Sequence, residues 1–246
     1  MYKSSKQLKA EAKDALRGRW KDAVILNIVP TILKVITIFV ASIAIMGAVF
    51  IISNLSSFSS SDVESISASM SAQNSSVSSS LWTPIWNFFV TFLTIGISFT
   101  FLDVLRKGKE QSMSFKEAFR LFNGRDFGPI FLINLLSYIF QYLWTLLFII
   151  PGIVKYYAYS QANFIYKDLS ESEDTSSMGA TNFITESREL MNGHKKRLFW
   201  LDISFLGWYI VGILTLGIGL LWIDPYINTT KAAFYKDLAK DKYLAD

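Results

Sequence analysis

Lys34, Lys155 and Asp224 stand inside apolar stretches of a 246-residue chain, and charges so placed are the first candidates for chemistry. An ionisable group in hydrocarbon is costly, so it pairs with an opposite charge or lines a route for an ion, proton or substrate. Lys34 is 11 residues into the run 23–53, about 16 Å along a helix that rises 1.5 Å per residue. Two readings stay open for it: a structural ion pair, or contact with a substrate or ion. Lys155 precedes Asp224 by 69 residues and carries the opposite charge, which points to a pair; Asp224 neutralising Lys34 is the alternative. Asp202, Asn134 and Gln141 are further polar positions in apolar runs, and Asp202 is close enough to the end of its run to reach water. Pro151-Gly152 and Asp224-Pro225 also permit broken helices, whose dipole ends bind ions in transporters.

Hydrolytic chemistry finds little support. The sole histidine, His194, lies in the basic run GHKKR, and no HExxH, GxSxG or P-loop occurs. With no cysteine, disulfides and thiol-ligated metals are excluded. The expectation is a protein that is not an enzyme and has no cofactor, metal site or nucleic-acid partner.

The elements that would position these residues are membrane helices. The apolar share is 51% and the mean hydropathy +0.32. Residues 23–53, 81–102, 129–151 and 198–223 are apolar runs, and about 20 such residues cross a bilayer. The mixed-charge stretch 1–22 before so long a run is not expected to be a cleaved signal. Lys and Arg number seven in 1–22, six in 103–128, five in 166–197 and four in 231–246. The Ser-rich stretch 54–80 has none. Basic loops stay on the cytoplasmic side, so both termini are expected there and 54–80 outside, as a flexible loop. Each run then crosses and returns: 23–53 with 81–102, 129–150 with 153–168 after a break at Pro151-Gly152, and 198–214 with about 219–237 after the turn LTLGIGL. The reading is all-α: one polytopic integral membrane domain of about six transmembrane helices.

YKDL occurs at 166–169 and again at 235–238, an offset of 69. In the same register Asn123-Gly124 matches Asn192-Gly193, Glu117 matches Glu186, Leu121 matches Leu190, Leu132 matches Leu201, and Tyr157 matches Tyr226. This is an internal repeat. Each unit reads as an amphipathic segment, a Gly cap, an outward helix and an inward helix. Ser114 and Glu117 form an expected capping box, with Phe115, Ala118, Phe119 and Phe122 on one face. Phe183, Ser187, Leu190 and Met191 make a weaker stripe, and Leu8, Ala12, Ala15 and Leu16 a narrow one. Both Asn-Gly pairs are expected to be helix C-caps. The architecture expected is three parallel repeats, about 1–105, 106–170 and 171–246, each an interfacial helix plus a transmembrane hairpin. The short basic helices would lie on the anionic inner leaflet. Tyr166, Lys167 and Asp168, like Tyr235, Lys236 and Asp237, are then exit caps: Tyr at the interface, Lys toward headgroups, Asp and Leu closing the turn.

SSKQLKAEAKDALRGRW, SRELMNGHKKRLFWLDISFLGW and TLGIGLLWIDPYINTTKAAFYKDL resemble the DUF975 family over most of the chain, the loop 54–80 excepted. The resemblance implies a plasma-membrane protein of bacteria, mostly Firmicutes, and carries over no catalytic residue. The functional expectation is an accessory, scaffold or regulatory protein of the bacterial envelope, with an unidentified membrane-protein partner. The alternative is a small transporter or lipid-handling protein with a polar path near Lys34, Lys155 and Asp224.

Overall fold

The computed structural model describes residues 2–54, 77–172, 175, 177–240, 242 and 243, together with 64, 65 and 68. The Ser-rich loop expected over 54–80 falls largely outside the described residues. All regular elements among them are helical: α1 (Ser5–Leu16), α2 (Trp20–Ser53), α3 (Val77–Lys107), α4 (Phe127–Leu147), α5 (Ile149–Tyr159), α6 (Ala162–Ser172), α7 (Ala180–Leu190), α8 (Lys195–Ile203), α9 (Leu206–Leu214) and α10 (Leu220–Ala239). Two 3-10 turns, Gly108–Glu110 and Phe115–Phe119, lie between α3 and α4.

Among the described residues, four stretches are long and apolar enough to cross a membrane: Trp20–Ser53, Trp86–Glu110, Phe127–Leu147 and Lys195–Leu214. The return segments expected at 153–168 and 219–237 are helical but not among these four. The first is divided at Ser160-Gln161 into two helices of 11 residues. The second carries Asp224, Lys231, Lys236 and Asp237, which lower its hydropathy.

The chain forms two compact units, residues 1–28 with 93–246, and residues 29–92. In the smaller unit, the α2 side chains Ile32, Phe39, Ile43, Met46 and Phe50 are all exposed. A helix apolar on every side that leaves those sides uncovered suits a hydrocarbon solvent. In the same unit Phe88 and Phe92 set their rings 4.7 Å apart.

In the larger unit, α1 begins with a capping box: Ser4 accepts from the Gln7 amide, and Gln7 accepts from the Ser4 amide at 2.8 Å. Its stripe Leu8, Ala12 and Leu16 is fully covered by protein, and α1 packs on α10. The stripe of α7 behaves alike: Phe183, Ser187 and Met191 are buried, and α7 packs on α4, α5 and α6. The expected surface-lying role is therefore corrected for these two helices, whose apolar faces meet other helices rather than lipid.

Turns differ from expectation in instructive ways. The chain reverses at Phe148, which is extended (φ −155°), and Pro151 sits in the first turn of α5 rather than breaking a helix. Proline is tolerated there because its missing N–H would have no intrahelical partner. Gly193 takes φ +77°, the left-handed cap expected of it. The equivalent Asn123-Gly124 does not form such a cap. Asn123 Oδ1 instead accepts from the amides of Arg125 (2.9 Å) and Asp126 (2.6 Å), organising the entry to α4. The segment expected as a helix over 114–122 is a 3-10 turn. Its Ser114 accepts from the Lys116 amide, so the capping box with Glu117 does not form.

Candidate functional site: ion pairs joining the YKDL segments

The first YKDL copy lies in the middle of α6 and the second at the end of α10. Aromatic packing fixes α6: Phe164 stacks on Tyr235 at 4.9 Å, and Tyr166 meets Phe183 edge-on at 5.3 Å. This packing removes the charged residues that follow from water. A buried charge is tolerated only when paired and hydrogen-bonded, and each one here has its partners.

Lys167, with its side chain 2% exposed, places Nζ 2.6 Å from Asp103 of α3 and 2.8 Å from Glu171 one turn on. Arg120 also donates to Asp103, at 2.7 Å. Asp168, 1% exposed, accepts both arms of the Arg106 guanidinium at 2.6 and 2.8 Å. Its Oδ2 accepts in addition from the Tyr235 hydroxyl at 2.6 Å. The two YKDL copies are thus joined directly. Tyr166 donates to Asp126 at 3.0 Å.

The second copy continues the network. Lys236 donates to the Leu105 carbonyl at 2.7 Å and pairs with Glu11 of α1, which also holds Lys3 at 2.7 Å. Asp237 accepts from the Lys3 amide at 3.0 Å and pairs with Arg197 of α8. Arg197 Nη2 also donates to the Lys3 carbonyl, and its guanidinium lies 4.8 Å over the Phe234 ring. An open groove lined by Lys3, Glu11, Asp14, Leu105 and Gly108 runs beside these groups.

The residues expected as exit caps have another role here, and the first set lies inside α6 rather than at its end. Lys167 does not reach toward headgroups, and Tyr166 and Tyr235 are buried. Packed against other helices, these amines are held by carboxylates of their own and neighbouring helices and, for Lys236, by a backbone carbonyl. Asp103, Arg106, Arg120, Glu11 and Arg197 were not singled out from the sequence. The available signal was Asp103, followed three residues later by Arg106 at the end of an apolar run.

The intramembrane candidates fall on α2, α4, α5, α8 and α10. Lys34 is exposed on α2, in the unit 29–92. Lys155, expected opposite Asp224, instead sets its ammonium 4.5 Å over the Trp144 ring. Asp224 is buried on α10. Asp202 has more to do than expected, since it pairs with Lys231 at 3.0 Å. Asn134 and Asn163 exchange amide hydrogen bonds at 3.1 and 3.2 Å, tying α4 to α6. Asn228 donates to Asn27 at 3.0 Å and ties α10 to α2 in the same manner. Such polar contacts hold helices together where lipid offers no competing donors. Gln141 is half-buried on α4, and its carbonyl accepts from Thr145. Among the described residues, no group of three or more His, Cys, Asp or Glu is arranged to hold a metal.

Ser187 bridges the division between α5 and α6. It donates to the Ala158 carbonyl at 2.8 Å and accepts from the Gln161 amide at 3.1 Å. Ser187→Ala is expected to cost about 1–3 kcal/mol, because both buried backbone groups lose this partner. Faster amide exchange at Gln161, with little change near Leu238, would show the loss to be local; unchanged exchange would refute the bridge.

The C-terminal stretch is held by Glu186, which accepts from Tyr243 at 2.9 Å and pairs with Lys242 at 3.1 Å. Burial pushes the Glu186 carboxyl up, but the Tyr243 hydroxyl and the Lys242 amine outweigh it and leave it below the usual glutamate range. A carboxyl whose folded value is depressed stabilises the fold above its unfolded value and ceases to as pH falls through the folded one. Protease cleavage near Tyr243 is therefore expected to rise as pH drops below about 4.5, the ordinary glutamate range. In Glu186→Gln that pH dependence should vanish; an unchanged profile would exclude Glu186 as its source.

A family model described as "Protein of unknown function (DUF975)" matches residues 1–157 and 149–242. No curated protein and no solved structure matches the chain.

Proposed function

The chain belongs to the DUF975 family, and from its geometry we propose a non-enzymatic accessory, scaffold or regulatory role in the bacterial plasma membrane. The observation that carries this reading is the network of ion pairs around Asp103, Lys167, Asp168, Lys236 and Asp237. Its carboxylates hold cations of the same chain, which suits a braced platform better than a reaction centre. In the fuller form of the proposal, six helices cross the membrane in three repeats with both termini cytoplasmic. The basic residues concentrated in 1–22, 103–128, 166–197 and 231–246 support that orientation. The ion-paired helix ends would then form the inner face, next to anionic lipid and a membrane-protein partner.

The test is mass spectrometry of the protein extracted from its native membrane in a lipid-preserving polymer. A stoichiometric protein partner supports the accessory role. A retained lipid or small molecule, lost on substituting Lys34 or Asp224, would replace it with lipid handling or transport.

A further inference from the structure

The three amphipathic stretches are not alike once folded. Those of α1 and α7 bury their apolar stripes in protein. The 115–119 turn buries only Ala118. Phe115, Phe119 and Phe122 are 39, 37 and 41% exposed. The reason lies in how the turn docks. At Gly96 of α3 a Cβ would stand 2.9 Å from the Ala118 carbonyl oxygen, so the turn lays its backbone edge on α3. The phenylalanines are left partly exposed.

Their rings form a continuous chain. Centroids are 5.4 Å apart between Phe115 and Phe119, and 6.0 Å between Phe119 and Phe122. The chain goes on to Phe127 at 6.2 Å and Phe131 at 6.3 Å. Phe127 and Phe131 belong to α4, one of the four apolar helices long enough to span a membrane. The aromatic surface therefore runs without interruption from a candidate span onto the turn before it. Lys116 in the turn, and Lys107 and Lys109 in the segment leading to it, are exposed, as is the acid Glu110.

We infer that residues 115–122 and the first turn of α4 are a lipid-surface contact, with the phenylalanines at the headgroup–acyl boundary and Lys116 toward anionic headgroups. Phenylalanines on a shallow apolar face edged with cations bury at that boundary and bind anionic surfaces. This deepens the membrane reading above and rests on it. It assigns the inner-leaflet contact to one of the three stretches and withdraws it from the other two.

The chain has no cysteine, so a single environment-sensitive label can be placed at will. Full-length Phe119→Cys, Leu135→Cys and Glu189→Cys would be labelled in nanodiscs carrying nitroxide-labelled lipid. The lipid is phosphatidylcholine alone or mixed with phosphatidylglycerol. Position 135 is exposed on α4 and reports the span; position 189 is exposed on α7 and reports water. Quenching at 119 is expected within about two-fold of that at 135 and about five-fold above that at 189. Lys116→Glu should reduce it in the anionic mixture and not in phosphatidylcholine alone. A label at 119 that behaves like 189 while 135 is quenched overturns the inference and leaves the span intact. Energy transfer between copies at 119 without lipid quenching overturns it in favour of a second copy. Absence of quenching at 135 overturns the membrane reading itself, and the inference with it.

Discussion

Asp168→Leu is expected to destabilise the protein by about 3–5 kcal/mol, because removing one member of a buried pair leaves the other charge uncompensated. The stranded groups are the Arg106 guanidinium, which gives Asp168 both of its arms, and the Tyr235 hydroxyl. The cost should therefore exceed that of Tyr235→Phe, about 1.5–3 kcal/mol for a hydrogen bond to a charged group. Denaturant unfolding of the purified protein in micelles gives these differences. The decisive comparison is the double variant Arg106→Met with Asp168→Leu. Apolar replacement of a whole buried pair is often neutral or stabilising, so the double variant should recover most of what the single one loses. Equal loss in both would mean that the pair is not buried as a unit. Such a result would remove the main support for a braced platform.

The second large effect is expected at Gly152→Leu. A Cβ at Gly152 would stand 2.2 Å from Thr145 Oγ1 and 2.9 Å from Thr145 Cα. A hydroxyl can rotate away, but a backbone atom cannot. The α4–α5 hairpin must therefore open, at about 1–3 kcal/mol for overpacking and more where backbone has to move. Thr145→Ala removes Oγ1 and should rescue Gly152→Ala only in part. Gly152→Leu should remain impaired in that background. The readout is again the unfolding midpoint, with Gly124→Ala as control, since a Cβ there meets nothing within 4 Å. Full tolerance of leucine at 152 would rule out this close approach.

What could be read from the chain depended on the range of the interaction. Apolar runs are local, so α2, α3, α4 and the α8–α9 stretch were legible as candidate spans from composition alone. The Gly193 cap was legible for the same reason, since a left-handed turn depends on a few consecutive residues. Asn123 misled because the same dipeptide can close one helix or open the next. The neighbouring backbone decided which.

Three features needed the tertiary structure. Periodicity showed that α1, 115–122 and α7 each have an apolar face, but it is blind to what covers that face; docking against α10, α3 and the α4–α6 helices settled it. The offset of 69 placed Lys155 and Asp224 at equivalent positions, yet an amine four carbons long takes the nearest favourable surface, and that was Trp144. The YKDL copies were found by sequence identity, while their partners lie 62 and 67 residues away for Asp168, and 225 away between Lys236 and Glu11. Local sequence sufficed to read an apolar, helical chain resembling the DUF975 family, with its basic residues clustered between apolar runs. Which charges meet could not be read that way, because ion pairs between helices depend on how the helices cross, and residue order does not encode that locally.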